Sequence, residues 1–352
     1  MSQTIRGIHH VTAIASDAQA NLDFYTGVLG LRLVKISVNQ DDPGTYHFFY
    51  GDGTGRPGTG MTFFPYANAF EGQPGPGQST AVAFRAPASS EPYWVDRLAS
   101  KGVEYGVAFE RLGERMIAFA DPDGMPVEIA FVGGPSGNAW EGGGVPKEFA
   151  IVGFHGVTLT ERHPEATIAF LTEEFGYLEQ GSEGNRKRLL AQPLIGHSPP
   201  SLDPELGTIV DIVEDRESPH GRIAAGSIHH VAFRTPDAES QLAWHKRVQE
   251  IGLHVSPVTE RFYFKSIYFR EPGGVLFEIA TDGPGWTVDE SLESLGTRLF
   301  LPPWLESRRA EIESGLPKLA LPSLSPQPPL PRGGRGGACC GRRKDPWRWV
   351  RP

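Results

Sequence analysis

The stretch that decides the fold is Gly7-Ile8-His9-His10-Val11-Thr12, because it returns as Ser227-Ile228-His229-His230-Val231-Ala232 more than two hundred residues later. Each copy is a strand candidate that precedes an amphipathic stretch of helical period. Two further strand–helix pairs lie between them, and strand-like runs follow every helix. One strand, one helix and then about three strands form a βαβββ module. Four such modules predict an α+β fold.

The four predicted helices share a stop signal. Each ends directly before a glycine, which adopts the left-handed backbone that terminates a helix at little cost. The helices are predicted at residues 17–29, 91–101, 164–175 and 237–251, before Gly30, Gly102, Gly176 and Gly252. Paired modules of this size should form curved sheets around a cleft. We expect modules one and two to form a first domain over residues 5–135, and modules three and four a second domain over residues 150–285.

The chain changes character after residue 285. Residues 286–315 are predicted to be a C-terminal extension that contains a short helix. From residue 316 onward proline, glycine and arginine dominate, and such a composition cannot form a packed core. We therefore expect residues 316–352 to be a disordered tail. The two cysteines, Cys339 and Cys340, are adjacent in this tail, so a disulfide framework is excluded.

Composition limits the possible partners. The 352 residues carry a net charge of −9, which argues against nucleic-acid or anionic-membrane partners. No apolar run approaches the roughly 18 residues of a membrane span, and no secretory signal is visible. We expect a soluble cytoplasmic protein, and a homo-oligomer is left open.

A metal site is indicated by the two histidine pairs and one later acid. Glu278 is the single acid in the apolar run Val275-Leu276-Phe277-Glu278-Ile279. Because side chains alternate along a strand, only one histidine of each pair can face a shared cleft. A lone strand histidine is usually a buried, hydrogen-bonded residue, but burying an unpaired carboxylate is costly. His10, His230 and Glu278 would supply the two imidazoles and one carboxylate of an open iron(II) site.

The sequence also indicates whether this site has a fourth ligand and whether the chain has a second metal site. The last strand of the first module offers no carboxylate, and we expect Phe63 or Phe64 at the position of a fourth ligand. A second constellation consists of Glu128, His155 and Asp211. It could form another metal site or a structural polar cluster, and the first strand of module two lacks a histidine.

The motifs together resemble the vicinal oxygen chelate superfamily, which includes glyoxalase I, bleomycin-resistance proteins and extradiol dioxygenases. Within it the chain is most similar to ring-cleaving hydroquinone dioxygenases of the 2,6-dichlorohydroquinone 1,2-dioxygenase type. The resemblance covers about residues 5–300. Beyond the two histidine motifs it rests on Pro272-Gly273-Gly274-Val275-Leu276-Phe277-Glu278, Gly58-Thr59-Gly60-Met61-Thr62, Glu183-Gly184-Asn185-Arg186 and Gly207-Thr208-Ile209-Val210-Asp211.

This resemblance implies an Fe(II)-dependent enzyme that uses O2 to cleave a hydroquinone or related dihydroxylated aromatic ring. It implies the iron ligands His10, His230 and Glu278, and the active-site residues His9, Thr12, His229, Arg261 and Tyr268. Mn(II) could replace Fe(II), since similar ligands serve both.

Roles for the residues around the metal follow from their chemistry. Strand alternation places His9 and His229 away from the metal, where they would support the ligands or handle protons. Arg261 and Tyr268 would bind substrate oxygens or stabilise developing negative charge. The candidates for the pocket wall, for which core packing is equally reasonable, are Phe63, Phe64, Phe262 and Tyr263.

Two alternatives stay open on the same fold. A glyoxalase-like lyase or isomerase would need a fourth protein ligand beside His10. A non-catalytic binding protein of the bleomycin-resistance type would need no metal.

Overall fold

The computed structural model describes residues 4–192 and 206–322. Within these ranges sixteen strands form two mixed sheets of eight strands each. The strands are β1 (Ile8–Ala15), β2 (Arg32–Asn39), β3 (Asp42–Gly51), β4 (Gly60–Pro65), β5 (Gln78–Ala86), β6 (Phe109–Arg111), β7 (Glu114–Ala120), β8 (Pro126–Phe131), β9 (Gly153–Glu161), β10 (Leu178–Glu183), β11 (Arg186–Leu190), β12 (Ile209–Glu214), β13 (Ser227–Thr235), β14 (Thr259–Glu260), β15 (Lys265–Arg270) and β16 (Leu276–Thr281).

All four predicted helices are present, and a fifth lies in the C-terminal extension. They are α1 (Ala18–Leu22), α2 (Glu91–Ser100), α3 (Glu165–Ala169), α4 (Ala238–Glu250) and α5 (Arg309–Gly315), with wider π-helical turns continuing α1 over Asp23–Val28 and α3 over Phe170–Glu174. The side chain of Asp17 begins α1 by accepting a hydrogen bond from the Ala20 backbone N–H at 2.7 Å. Gly30, Gly102, Gly176 and Gly252 have φ between 70° and 84°, which confirms the predicted stop signal.

The two sheets join modules that are distant in the sequence. The first has the strand order β14-β15-β16-β13-β1-β4-β3-β2, so it combines modules four and one. The second has the order β10-β11-β12-β9-β5-β8-β7-β6, which combines modules three and two. The prediction of an α+β fold of four βαβββ modules is confirmed. Residues 5–135 and 150–285 nevertheless each contribute to both sheets, because the antiparallel pairs β1–β13 and β5–β9 cross between these ranges.

A continuous hydrophobic core underlies both sheets. Tyr25 of the first module and Trp94 of the second are fully buried in it, together with Phe63 and Phe154. Removing this apolar surface from water is the main force that holds the helices against the outer faces of the sheets. The opposite, concave face of the first sheet bears polar side chains together with a smaller apolar cluster that includes Phe49 and Phe264.

The C-terminal extension packs against the first sheet. Leu301, Leu305 and Ile312 form a small apolar cluster with Val38 of β2. Fully buried Lys35 of β2 donates to carboxylates of Asp289, at 2.7 Å, and Glu290. The extension therefore covers the edge of the sheet that β2 forms.

The first residues of the predicted tail make contacts with the rest of the protein, and the boundary at residue 316 stays a prediction. Leu316 is buried, and the Tyr46 hydroxyl donates to the carbonyl of Pro317 at 2.9 Å. Gln19 accepts a hydrogen bond from the backbone N–H of Ala320 at 2.8 Å. The rest of the tail, with Cys339 and Cys340, lies outside the described residues. No helix in the described ranges is long and apolar enough to cross a membrane.

Candidate metal centre and substrate pocket

Three neighbouring strands of the first sheet bring His10, His230 and Glu278 together. His10 lies on β1, His230 on β13 and Glu278 on β16, and all three side chains are buried. One ligand atom from each lies within 4.8 Å of the others. Oε2 of Glu278 is 3.0 Å from Nε2 of His230 and 3.4 Å from Nε2 of His10. The three predicted ligands thus converge on one point.

The chemistry of this triad fits a divalent cation. Nε2 of His230 and Oε2 of Glu278 are close, but neither atom makes a hydrogen bond of acceptable geometry. The other oxygen of Glu278 accepts from the Ser266 hydroxyl. Burial by itself would raise the pKa of Glu278, but His10 and His230 outweigh it and hold that pKa well below the ordinary value. A buried carboxylate oxygen without a hydrogen bond is costly, and a bound cation would satisfy it.

The first histidine of each pair occupies a β-bulge. Ile8 and His10 pair with the consecutive residues Phe233 and Ala232, so His9 is an extra residue on β1. In the same way Thr12 and Ala13 pair with His230 and Ile228, so His229 is an extra residue on β13. An inserted residue interrupts strict alternation. Alternation predicts opposite faces for the two histidines of a pair, but in each pair the two imidazoles are in contact. Nδ1 of His9 lies 2.9 Å from Nδ1 of His10, and Nδ1 of His229 lies 2.8 Å from Nδ1 of His230.

These contacts fix the ligand rings. Burial lowers the pKa of His9 well below its ordinary value, and burial also lowers the pKa of His229, to about 4. When Nε2 of His10 or His230 binds a metal, its Nδ1 carries the proton. That proton is donated to the neutral imidazole beside it, which sets the orientation of the ligand.

The fourth position around the triad belongs to Thr62. Glu278 pairs with Ala232, two residues after His230, and Thr62 pairs with Thr12, two residues after His10. The expectation of Phe63 or Phe64 at this position was therefore wrong by one or two residues. Phe63 points into the core, and Phe64 lines the cavity farther along the strand. A threonine hydroxyl is not a ligand that would close the coordination sphere as a carboxylate would.

A cavity of about 380 Å³ opens beside the triad. The predicted residues Thr12, His229, Arg261 and Tyr268 line it, together with Phe64 and Tyr263. Three predicted residues do not: Phe63 lies in the core, His9 lines a neighbouring cavity across Phe264, and Phe262 instead contacts Tyr263 and Trp304. The size of the pocket suits a small aromatic molecule.

Arg261 and Tyr268 form a polar wall next to the ligands. Nε of Arg261 donates to the Tyr268 hydroxyl at 3.2 Å, and its Nη2 donates to Asp41 at 3.0 Å. The Tyr268 ring lies 5.8 Å from that of His230. Burial and the charge of Glu278 raise the pKa of Tyr268, so the phenol keeps its proton and can act as a donor.

Sequence reasoning missed His47 and Ser37. His47 of β3 lines the cavity, and its Nε2 lies 3.1 Å from the Thr62 hydroxyl. Its ring packs between Phe49 and Phe64, with ring-centre distances of 3.9 and 4.3 Å. Burial lowers the pKa of His47 well below its ordinary value. The alternation in Tyr46-His47-Phe48-Phe49 could have placed His47 on the cleft face, but nothing in the sequence marked β3 as a wall of the site.

The second constellation is a polar cluster held by arginines. Arg111 makes two hydrogen bonds to Glu128, at 2.7 and 2.9 Å, and Arg188 holds Asp211 at 2.7 and 3.0 Å. His155 lies 2.9 Å from Glu114. In the described ranges, the triad in the first sheet is the one group with metal-ligand geometry.

The ladder explains why the second sheet differs. Its bulge residues are Thr80 and His155, which correspond to His229 and His9. The positions that correspond to His230 and His10 hold Ala81 and Gly156. Of the three triad positions, only that of Glu278 keeps its residue type in the second sheet, as Glu128, and Arg111 neutralises this carboxylate.

Paired βαβββ modules around one buried His-His-Glu triad define a two-domain protein of the glyoxalase type. The chain belongs to the Glyoxalase/Bleomycin resistance protein/Dioxygenase superfamily, whose family model matches residues 7–129 and 153–279. This confirms the superfamily that the sequence motifs indicated.

Individual relatives are similar over nearly the whole chain. The chain is 42% identical to "Putative ring-cleaving dioxygenase MhqO" of Bacillus subtilis (strain 168), over 90% of this chain and 97% of that protein. It is 34% identical to the chlorohydroquinone/hydroquinone 1,2-dioxygenase of Sphingobium indicum, over 89% of this chain and 96% of that protein. A crystal structure described as a "putative dioxygenase" from Bacillus subtilis superposes with a TM-score of 0.85 at 40% identity, covering 91% of this chain and 99% of that one. The prediction of a ring-cleaving dioxygenase is confirmed at the level of this enzyme class.

Proposed function

We propose that the protein is an Fe(II)-dependent ring-cleaving dioxygenase whose substrate is a hydroquinone or a closely related dihydroxylated aromatic. The proposed metal ligands are His10, His230 and Glu278. The observation that carries the proposal is the open triad, with Thr62 where a fourth ligand would stand. The hydroquinone substrate of the Sphingobium relative supports the substrate class.

Iron(II) bound at the triad would supply vacant positions for O2 and a substrate oxygen and a path for electrons between them. The protein supplies the surroundings. Tyr268, held by Arg261, donates a hydrogen bond toward a substrate oxygen near the metal. His229 lines the pocket, and because its Nδ1 accepts from His230, its Nε2–H can donate a hydrogen bond to a substrate oxygen. Phe64 and Tyr263 enclose the ring and exclude water.

The alternatives are less well supported. A glyoxalase-type lyase or isomerase would need a fourth protein ligand, and Thr62 instead hydrogen-bonds to Thr12 at 2.8 Å. A metal-free binding protein would leave the buried oxygen of Glu278 unsatisfied, at a cost of about 1–3 kcal/mol.

The test is anaerobic reconstitution with Fe(II) or Mn(II), followed by measurement of O2 consumption with three substrates. We expect uptake of one O2 per ring with hydroquinones, less with catechols, and no conversion of a methylglyoxal–glutathione adduct. Greater turnover with Mn(II) would replace iron in the proposal. Isomerisation of the adduct without O2 uptake would establish the lyase alternative.

A further inference from the structure

The substrate cavity has a second pair of polar side chains besides the triad, on β2 and β3. Ser37 of β2 and His47 of β3 are directly opposite each other in the ladder, and both line the cavity. Ser37 is only 2% exposed, and its hydroxyl has no hydrogen-bond partner in the part of the chain that the structure describes. A buried hydroxyl without a partner has lost its hydrogen bonds to water, which costs free energy. A ligand that hydrogen-bonds to it would offset this cost.

The strand order separates this pair of side chains from His10. In the first sheet β3 and β2 lie two and three strands from β1. At about 4.8 Å between neighbouring strands, that is roughly 10 and 14 Å along the sheet. The curl of the sheet turns both strands toward the same space. Ser37 thus lies farthest from His10 in the strand order, and His47, which contacts Thr62, lies between them.

Aromatic side chains line the space between this pair and the triad. Phe49 and Phe64 flank the His47 ring, and Phe264 lies with its ring centre 5.1 Å from that of His10. A flat ring with an oxygen at each end matches this arrangement of polar and apolar surface. A ring with two adjacent oxygens would place both at the metal and leave the Ser37 hydroxyl unpaired.

We propose that Ser37 and His47 bind the para oxygen of a 1,4-dihydroxylated aromatic ring whose other oxygen faces the triad. This inference rests on the proposed function and deepens it, since it assigns the choice of 1,4- over 1,2-diols to two named residues. The contact between His47 and Thr62, at 3.1 Å, fixes the imidazole and leaves its other nitrogen for the substrate. The Ser37 hydroxyl completes the pair.

The test compares hydroquinone with phenol, which lacks the para oxygen. Anaerobic dissociation constants for both are measured on the full-length Fe(II) protein, in the original sequence and as Ser37→Ala and His47→Asn. We expect each variant to weaken hydroquinone binding about tenfold, the effect of losing one good hydrogen bond, with phenol binding unchanged. Ser79→Ala, a buried serine in the second sheet, is the matched control and should leave both constants unchanged.

The outcomes separate this inference from the proposed function. If the unaltered protein consumes no O2 with any hydroquinone, the proposed function fails and the inference fails with it. If it cleaves hydroquinone while Ser37→Ala and His47→Asn keep the original ratio of hydroquinone to phenol affinity, only the inference fails. Should Ser37→Ala not fold, the ratio in His47→Asn decides alone.

Discussion

Thr62 occupies in the first module the ladder position that Glu278 occupies in the fourth. Each pairs with the residue two positions after the second histidine of a pair, in the neighbouring parallel strand. Thr62 pairs with Thr12, and Glu278 pairs with Ala232. The two halves of the first sheet therefore contribute unequally, with a histidine and a carboxylate from one side and a histidine alone from the other. This asymmetry would leave part of the coordination sphere of a bound metal open.

A carboxylate at position 62 should close the site. We expect Thr62→Glu to tighten metal binding and to lower dioxygenase turnover by at least about 100-fold, because the new ligand takes the place of O2 or substrate. Metal titration and O2 consumption would be measured on the same preparation. Thr62→Val, which removes the hydroxyl without adding a charge, should keep turnover within about tenfold. Full activity in Thr62→Glu would mean that this position does not face the metal.

Removing a triad member should abolish metal binding while the fold persists. We expect His10→Ala, His230→Ala and Glu278→Gln each to lose stoichiometric Fe(II) and turnover, since two remaining ligands cannot hold the ion. Glu278→Gln is preferred to alanine because it keeps the shape and leaves no cavity. Metal content, turnover and far-UV circular dichroism would be compared. Retention of iron and full activity by two of the variants would refute the ligand assignment.

The arginine cluster of the second sheet should matter for stability and not for catalysis. Arg111→Met alone leaves Glu128 buried without its partner, and we expect a loss of about 3–5 kcal/mol in the free energy of unfolding. The double variant Arg111→Met/Glu128→Leu should recover most of this loss, because no buried charge is stranded. Urea unfolding measures both. Equal destabilisation in the single and double variants would show that the pair itself is strongly favourable.

Buried Glu161 should make the protein less stable as the pH rises. Burial, followed by the nearby charge of Glu271, raises the pKa of Glu161 to about 9. Below about pH 4.5 both folded and unfolded chains hold the proton, and between 4.5 and 9 only the folded chain holds it. The contribution of this group to the free energy of unfolding should therefore fall by up to about 1.4 kcal/mol per pH unit across that window.

Glu161→Gln tests this linkage. The amide keeps the shape without ionising, so the pH slope of stability should flatten and stability at pH 8 should increase. Exposed Glu165 provides the control, since Glu165→Gln should leave the slope unchanged. An unaltered slope in Glu161→Gln would show that Glu161 is ionised in the folded protein.

The sequence was sufficient for the modules and the triad, because local signals report them. Glycines mark the helix ends, and a lone acid in an apolar strand marks Glu278. The pairing of modules one and four was not visible, since long-range strand pairing leaves no local pattern. The bulges at His9 and His229 were missed for a related reason. A bulge depends on how two strands meet, and alternation along a single strand predicts the opposite orientation.

Because β1 pairs with β13, the first sheet can be completed only after β13 has been synthesised. His10 is synthesised more than two hundred residues before His230, and the triad is incomplete until the ribosome has released the strand that contains Glu278. The second sheet, built from the middle of the chain, can form while this last segment is still being made. Until β13 is made, the edge of β1 that later pairs with it has no partner. This edge can then pair with a wrong strand or bind a chaperone. A nascent chain that stops before β16 would contain the complete second sheet but would lack the carboxylate of the triad.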